Sequence, residues 1–325
     1  MEKLDLKDRK ILYHLDLDSR QSFRSLGKKV GLSKDVVTSR VNKLIENNII
    51  YNFYTNIDFS KLGYNVYRYY FSYQYITPEK KEEIINYFVK NKYSLWVTSV
   101  EGQYDLSVYM AVKDVNDFYH VWDEAFRKFN KYFSKRAFSV FCSEKMYCYS
   151  FLLDENLKER KDLNNFIETG GKKTIAADDL DYKILKIITT NARIPIIELS
   201  QKLNSSTQTI NNRIKNLKKS GAISGFKVEI DFSKFEYKMY RLDINLNEDI
   251  NKQSIVDYIV KNPHVRSLYG SIGDAADIEL EIYFKDVNQI HKLLDDISQR
   301  YQNSIKEYKY HSSFKRHSNK TIPGV

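Results

Sequence analysis

A chain of 325 residues with a net charge of +10 and an isoelectric point near 9.1 favours polyanionic partners such as nucleic acid or an acidic membrane surface. Its 42% hydrophobic and 29% charged residues exclude a disordered chain and allow about two to four modules with their own cores. No apolar run approaches the roughly 18 residues that span a bilayer, and the charged start Met1–Arg9 does not read as a signal sequence, so a cytoplasmic protein is expected.

From the N-terminus, Asp5 is placed to cap a first helix with Ile11, Leu12 and Leu15 on one side. Ser22 caps a second, short helix packed through Leu26 and Val30. After the tight turn Gly31-Leu32, Ser33 opens a third helix whose apolar stripe is Val37, Val41 and Leu44. Two short helices joined by a few residues make a helix-turn-helix, and the face opposite the stripe carries Asp35, Thr38, Ser39 and Asn42. Hydroxyls and amides suit base edges in the major groove, and Lys34, Arg40 and Lys43 suit flanking phosphates. For Arg40, as for Arg213 in the second copy below, an intramolecular ion pair is the alternative reading. Ile49–Ile57 then alternates as in a short two-stranded wing.

Next come a strand at Tyr64–Gln74, a helix at Pro78–Lys90, strands at Leu95–Glu101 and Leu106–Val112, a helix at Val115–Phe133 and a strand at Ala137–Tyr149. That βαββαβ order describes a ferredoxin-like sandwich with helices on one sheet face and the other face free for a partner. The turn Gly102-Gln103-Tyr104-Asp105 offers a positive-φ glycine and a carboxylate able to receive an ammonium group or to cap its own turn. Cys142 and Cys148, too far apart along a strand to bond, read as reduced packing residues.

A polar stretch, 154–176, reads as a partly helical linker, and beyond it the chain repeats itself. At an offset of 173 positions Asp8 meets Asp181, Ile11 meets Ile184, Arg20 meets Arg193, Ser33 meets Ser206, Arg40 meets Arg213 and Phe53 meets Phe226. The second head is capped at Asp178 and Ser206, with Pro195 in the first turn of its second helix. Its outward face bears Gln208, Asn211, Asn212 and Lys215, with Arg213 beside the buried stripe, and a second wing, Ala222–Ile230, offers Lys227 to phosphate. The heads each carry four surplus positive charges, with 11 basic residues against 7 acidic in Met1–Thr55 and 9 against 5 in Ala177–Glu229. A second βαββαβ set follows at Tyr237–Leu246, Asn251–Lys261, Val265–Ile272, Ile278–Phe284, Val287–Tyr301 and Ser304–Ser313, then a basic tail expected to fray.

The predicted architecture is therefore α+β, two copies of winged helix-turn-helix plus ferredoxin-like domain. The expected boundaries are heads at 1–60 and 177–233, ferredoxin-like domains at 61–153 and 234–314, the linker between the copies, and a tail at 315–325.

Leu6-Lys7-Asp8-Arg9-Lys10-Ile11-Leu12, Val30-Gly31-Leu32-Ser33 and Gly102-Gln103-Tyr104-Asp105 resemble the Lrp/AsnC (feast/famine) regulators, over nearly the whole chain and twice over. The resemblance implies a sequence-specific regulator that binds double-stranded DNA and self-associates through its RAM-type effector domains, within or between chains. It also implies an amino-acid effector near Gly102, Tyr104 and Asp105, with Gly273 and Asp277 as counterparts, although Gly273-Asp274-Ala275-Ala276-Asp277 is one residue longer than the family turn. Two unlike recognition helices in one chain would suit an asymmetric site. The rival reading is a siroheme decarboxylase on the same fold, which needs histidine and arginine gathered around a tetrapyrrole, whereas the six histidines are scattered in sequence and do not recur. With no phosphate loop, metal-ligand spacing or paired nucleophile, no enzyme, cofactor or metal is expected.

Overall fold

The computed structural model describes residues 4–154, 156–171, 173–248, 250–319 and 322–323. Helices α1 (Leu6–Leu17), α2 (Phe23–Val30) and α3 (Lys34–Glu46) form the first head, each begun by the expected cap. The side chains of Asp5, Ser22 and Ser33 accept from the amides of Asp8, Ser25 and Val36. Ile11, Leu12, Leu15, Leu26, Val37 and Val41 are almost wholly buried beneath it.

In the second copy the corresponding helices are α6 (Asp179–Ile188), α7 (Ile196–Lys202) and α8 (Thr207–Lys219). Their core is Ile184, Leu185, Ile188, Leu199, Ile210 and Leu217.

The wings depart from expectation. Strands β1 (Ile50–Ile57) and β7 (Ile223–Ile230) do not fold back within their own copies but pair antiparallel with each other, Phe53 opposite Val228 and Thr55 opposite Phe226. Neither segment has a two-residue turn with strand-forming residues on both sides, so neither makes a hairpin alone, and each satisfies its backbone on the other copy.

Each copy then follows the βαββαβ order. The first has β2 (Asn65–Tyr73), α4 (Pro78–Lys90), β3 (Ser94–Gly102), β4 (Leu106–Val112), α5 (Val115–Phe129) and β5 (Phe133–Tyr147). After β6 (Phe166–Gly170), the second has β8 (Lys238–Leu246), α9 (Lys252–Ile259), β9 (Val265–Gly273), β10 (Ile278–Phe284), α10 (Asn288–Arg300) and β11 (Ile305–Asn319). Within the copies the strand orders are β5-β2-β4-β3 and β11-β8-β10-β9. Between them β3 pairs with β11 and β9 with β5, so eight antiparallel strands close into a ring.

Alternation along the strands gives this ring an apolar outside and a polar inside. Tyr67, Tyr69 and Phe71 pack with Ile84, Phe88, Phe118 and Phe129 of the first helix pair, and Leu242, Ile244 and Leu280 with Ile255, Ile259 and Ile297 of the second. The opposite face, expected to be free for a partner, turns inward with buried Arg68, Arg241, Glu279 and His311.

Three other expectations change. Among its described residues the linker forms no α-helix: Phe166–Gly170 extends the edge of β5 as β6, and the buried Arg160 donates to the carbonyls of Cys148, Val260 and Val265. The first part of the basic tail does not fray, because Lys315–Asn319 continue β11 along the edge of β3, while Ile322 is buried in the core of the second head; Lys320, Thr321, Gly324 and Val325 lie outside the described residues. Of the two cysteines only Cys148 is a packing residue, since Cys142 is exposed.

Interior histidines are expected to make the fold acid-sensitive. Burial, with Arg241 and Arg68 nearby, pushes the pKa of His311 down to about 3, and burial pushes that of His264 to about 4. Unfolding restores the usual value of 6.5, so the unfolded chain binds more protons between these limits and stability falls as pH drops from 6.5 toward 3. On going from pH 7.5 to 4.5, His311→Gln is expected to lose roughly 3 kcal/mol less stability than the parent chain, as measured by urea titration. Equal losses would contradict it.

Candidate nucleic-acid interface

The two recognition helices present their polar faces to solvent. On α3, Lys34, Asp35, Ser39, Asn42 and Lys43 are exposed and Thr38 is half-buried, its hydroxyl donating to the Lys34 carbonyl at 2.9 Å. Asp35, Thr38, Ser39, Asn42, Lys43 and Glu46 line a shallow open groove. On α8, Gln208, Asn212 and Lys215 are exposed and Asn211 is half-buried; the Gln208 amide donates to Asn212 Oδ1 at 3.4 Å. The whole of α8 lacks an acidic residue, whereas α3 carries Asp35 and Glu46, so the second face is the more attractive to a polyanion. Ser33 and Ser206 use their hydroxyls as caps, accepting from Val36 N at 3.3 Å and Thr209 N at 3.0 Å.

The two arginines expected beside phosphate are engaged within the protein. Arg40 bonds Asp5 at 2.7 Å and Asp8 at 2.8 Å; Arg213 bonds Asp178 at 2.7 Å and Asp181 at 3.3 Å. Each therefore ties its recognition helix to the start of the first helix of its own head, which is the ion-pair alternative. Lys227 is a correction. It is only 1% exposed and faces Asp16 at 3.7 Å, so no phosphate reaches it. Pairing of β1 with β7 turned its side chain inward, a long-range event that alternation within one strand does not reveal.

The glycine turns have a structural role at the seams of the ring. Gly102 has φ +123°, and a Cβ there would stand 2.7 Å from the Tyr310 carbonyl oxygen; Gly273 has φ +99°, with the Phe138 oxygen at 2.9 Å. Each glycine thus lets the last strand of the opposite copy approach where the ring closes. Asp105 accepts from Tyr73 N at 2.7 Å and Asp277 from Leu246 N at 2.8 Å, equivalent bonds that hold each turn to its neighbouring strand. Tyr104 stacks on Tyr70 at 5.2 Å and lies 6.3 Å from the His311 ring. The extra residue in the second turn brings Asp274, which accepts from Phe138 N at 3.0 Å.

The recurrence of Arg20 as Arg193 carries no local motif that assigns it a role. The structure sets both at the junction between heads, where Arg20 reaches the Ala192 carbonyl at 2.7 Å and Arg193 that of Gln21 at 3.1 Å. His311, far from Arg68 and Arg241 in sequence, lies near them inside the ring.

A family model described as winged helix-turn-helix DNA-binding matches residues 4–51 and 178–224, the two observed heads. The chain is 35% identical over 98 residues to an uncharacterized HTH-type transcriptional regulator of Pyrococcus furiosus, covering 30% of this chain and 66% of that one. It is 34% identical over 112 residues to an HTH-type transcriptional regulator of Methanocaldococcus jannaschii, covering 34% and 74% respectively. Among solved structures, the siroheme decarboxylase NirDL superposes with a TM-score of 0.62 over 98% of this chain and 94% of that one at 16% identity, a likeness of fold alone. Convergence of the sequence relatives on transcriptional regulators supports a regulatory, non-enzymatic role. Two matched heads, and a regulator matched over 74% of its length at 34% identity, place the chain in the winged helix-turn-helix family of Lrp/AsnC-like DNA-binding regulators.

Proposed function

We propose that the protein is a sequence-specific transcriptional regulator whose two heads read two unlike half-sites of duplex DNA. The observation that carries this reading is the pair of solvent-facing recognition helices of different chemistry, joined by one strand ribbon. Gln208, Asn211, Asn212 and Lys215 on α8 supply the stronger base contacts, since amides pair bidentately with adenine. Thr38, Ser39 and Asn42 on α3 supply hydroxyl and amide contacts to the other half-site, with Lys34 and Lys43 toward phosphate. The chain works in the cytoplasm, and its two RAM-type domains associate with each other within the chain. A small amino-acid-like effector acts near Gly102, Tyr104 and Asp105, with the longer turn at Gly273 and Asp277 as the altered counterpart. The tetrapyrrole-enzyme reading has only likeness of fold behind it.

Fragments selected from random DNA supply the site for the test. Asn212→Ala is expected to weaken binding to that site by about 1 to 3 kcal/mol while leaving non-specific binding nearly unchanged, and parent affinity should fall steeply with salt. Equal weakening on all sequences would remove Asn212 from base reading. A flat salt profile would remove DNA from the function.

A further inference from the structure

The two heads hold each other by a reciprocal set of bonds. Arg20, in the loop between α1 and α2, donates to the carbonyls of Ala192 at 2.7 Å and Ile194 at 3.5 Å, in the loop between α6 and α7. Arg193, in that second loop, donates to the carbonyls of Ser19 and Gln21 in the first. Arg20 stands over the Phe226 ring at 5.3 Å, and Arg193 over Phe23 at 4.3 Å and Phe53 at 5.4 Å. Main-chain bonds repeat the symmetry, with Ser19 N to Phe226 O at 3.0 Å and Ala192 N to Phe53 O at 2.7 Å.

These are not generic surface contacts. A guanidinium is a planar fork of donors, and when its acceptors are backbone carbonyls it fixes direction as well as distance. The loops it joins lead straight into α2 and α7, against which α3 and α8 pack through shared cores. Turning one head about the β1–β7 ribbon would break both forks and unstack three rings. The recognition helices therefore cannot adjust their separation independently.

We infer that Arg20 and Arg193 are positioning residues which set the separation and relative rotation of α3 and α8, and through them the half-site spacing the protein accepts. The inference rests on the DNA-reading role proposed above. It adds a determinant of specificity that touches no base.

The test uses the full chain and its selected site, together with versions carrying inserts of about 1, 2 and 5 base pairs between the half-sites, the last being roughly half a helical turn. The parent chain is expected to lose at least about tenfold in affinity on the longest insert, the scale of one or more mismatches. A chain with Arg20→Met and Arg193→Met is expected to bind an isolated half-site like the parent and to lose less than about threefold on the same insert. Arg20→Lys with Arg193→Lys should fall between, because lysine keeps the charge and the stem but not the fork. Should the methionine pair fail to fold by circular dichroism, the lysine pair carries the comparison.

Identical insertion penalties in parent and variants overturn the inference, as does a uniform loss on every duplex, isolated half-sites included. Failure of the parent chain to bind any duplex overturns the DNA-reading role itself, and is told apart by the absence of a selected site.

Discussion

Asp16→Asn is expected to lower the unfolding free energy by about 3 to 5 kcal/mol, the usual cost of leaving buried cations without their counter-ion. Asp16 lies on α1 of the first head and is fully buried. Arg266 of β9 clamps it with two bonds, at 2.8 and 3.0 Å, and lies over the Tyr149 ring at 3.9 Å. Lys227 approaches the same carboxylate at 3.7 Å. One carboxylate thus answers two cations where water cannot reach, and an amide in its place answers neither. Burial lowers the pKa of Lys227, which tempers the surplus. Removing that second cation as well, in Asp16→Asn with Lys227→Met, should restore part of the loss in guanidinium titrations. Strict additivity of the two substitutions would sink the account.

This clamp is not repeated. At the repeat offset Thr189 and Tyr54 stand in the places of Asp16 and Lys227, and Leu95 stands opposite Arg266 when Gly102 is set on Gly273. The first head is anchored to the ring by charge, while the second has no charged residue at those positions. Duplication supplied the frame, and divergence made the two attachments chemically unlike.

Glu279→Gln should cost a similar amount, about 3 to 5 kcal/mol, inside the ring rather than at the head. Its carboxylate stands 2.7 Å from Arg68 of β2 and 2.6 Å from Arg241 of β8, and accepts from Ser271 Oγ at 2.8 Å. Arg68 belongs to the first copy and Arg241 to the second, so this single group joins the two sheets across the interior. Burial alone would raise the carboxyl pKa, but Arg241 and Arg68 outweigh it and hold it below its ordinary value of 4.5. A depressed pKa stabilises the fold above the unfolded value and loses that contribution as pH falls through the folded one. The penalty of Glu279→Gln, measured by denaturation at several pH values, should therefore be full above 4.5 and shrink below it. A penalty independent of pH would mean that amide packing, not charge, is responsible.

Much of the molecule was legible before the structure because it is local. Caps at Asp5, Ser22, Ser33, Asp178 and Ser206 act within three residues of themselves. Pro78–Lys90, Leu106–Val112 and Ile278–Phe284 begin and end where periodicity placed them. The exposed faces of α3 and α8 follow from helical spacing alone. Other features were hidden. Lys227 looks like a wing lysine until β7 pairs with β1. Spacing leaves Arg40 and Arg213 open to phosphate or to an internal acid, and only the fold brings Asp8 and Asp181, 32 residues upstream, onto them.

By itself, then, the sequence determined the duplication, the order of helices and strands, the apolar stripe of each element and the polar faces of the two readers, all set by contacts within a turn or two of chain. Tertiary structure alone decided which strand edges meet, how the two copies close into one ring, and which charges are consumed in holding it. The reason is that strand edges and buried ions are satisfied by partners far away in the chain, such as Arg266 on Asp16 and Arg193 on Gln21, and no local pattern encodes which of many suitable partners arrives.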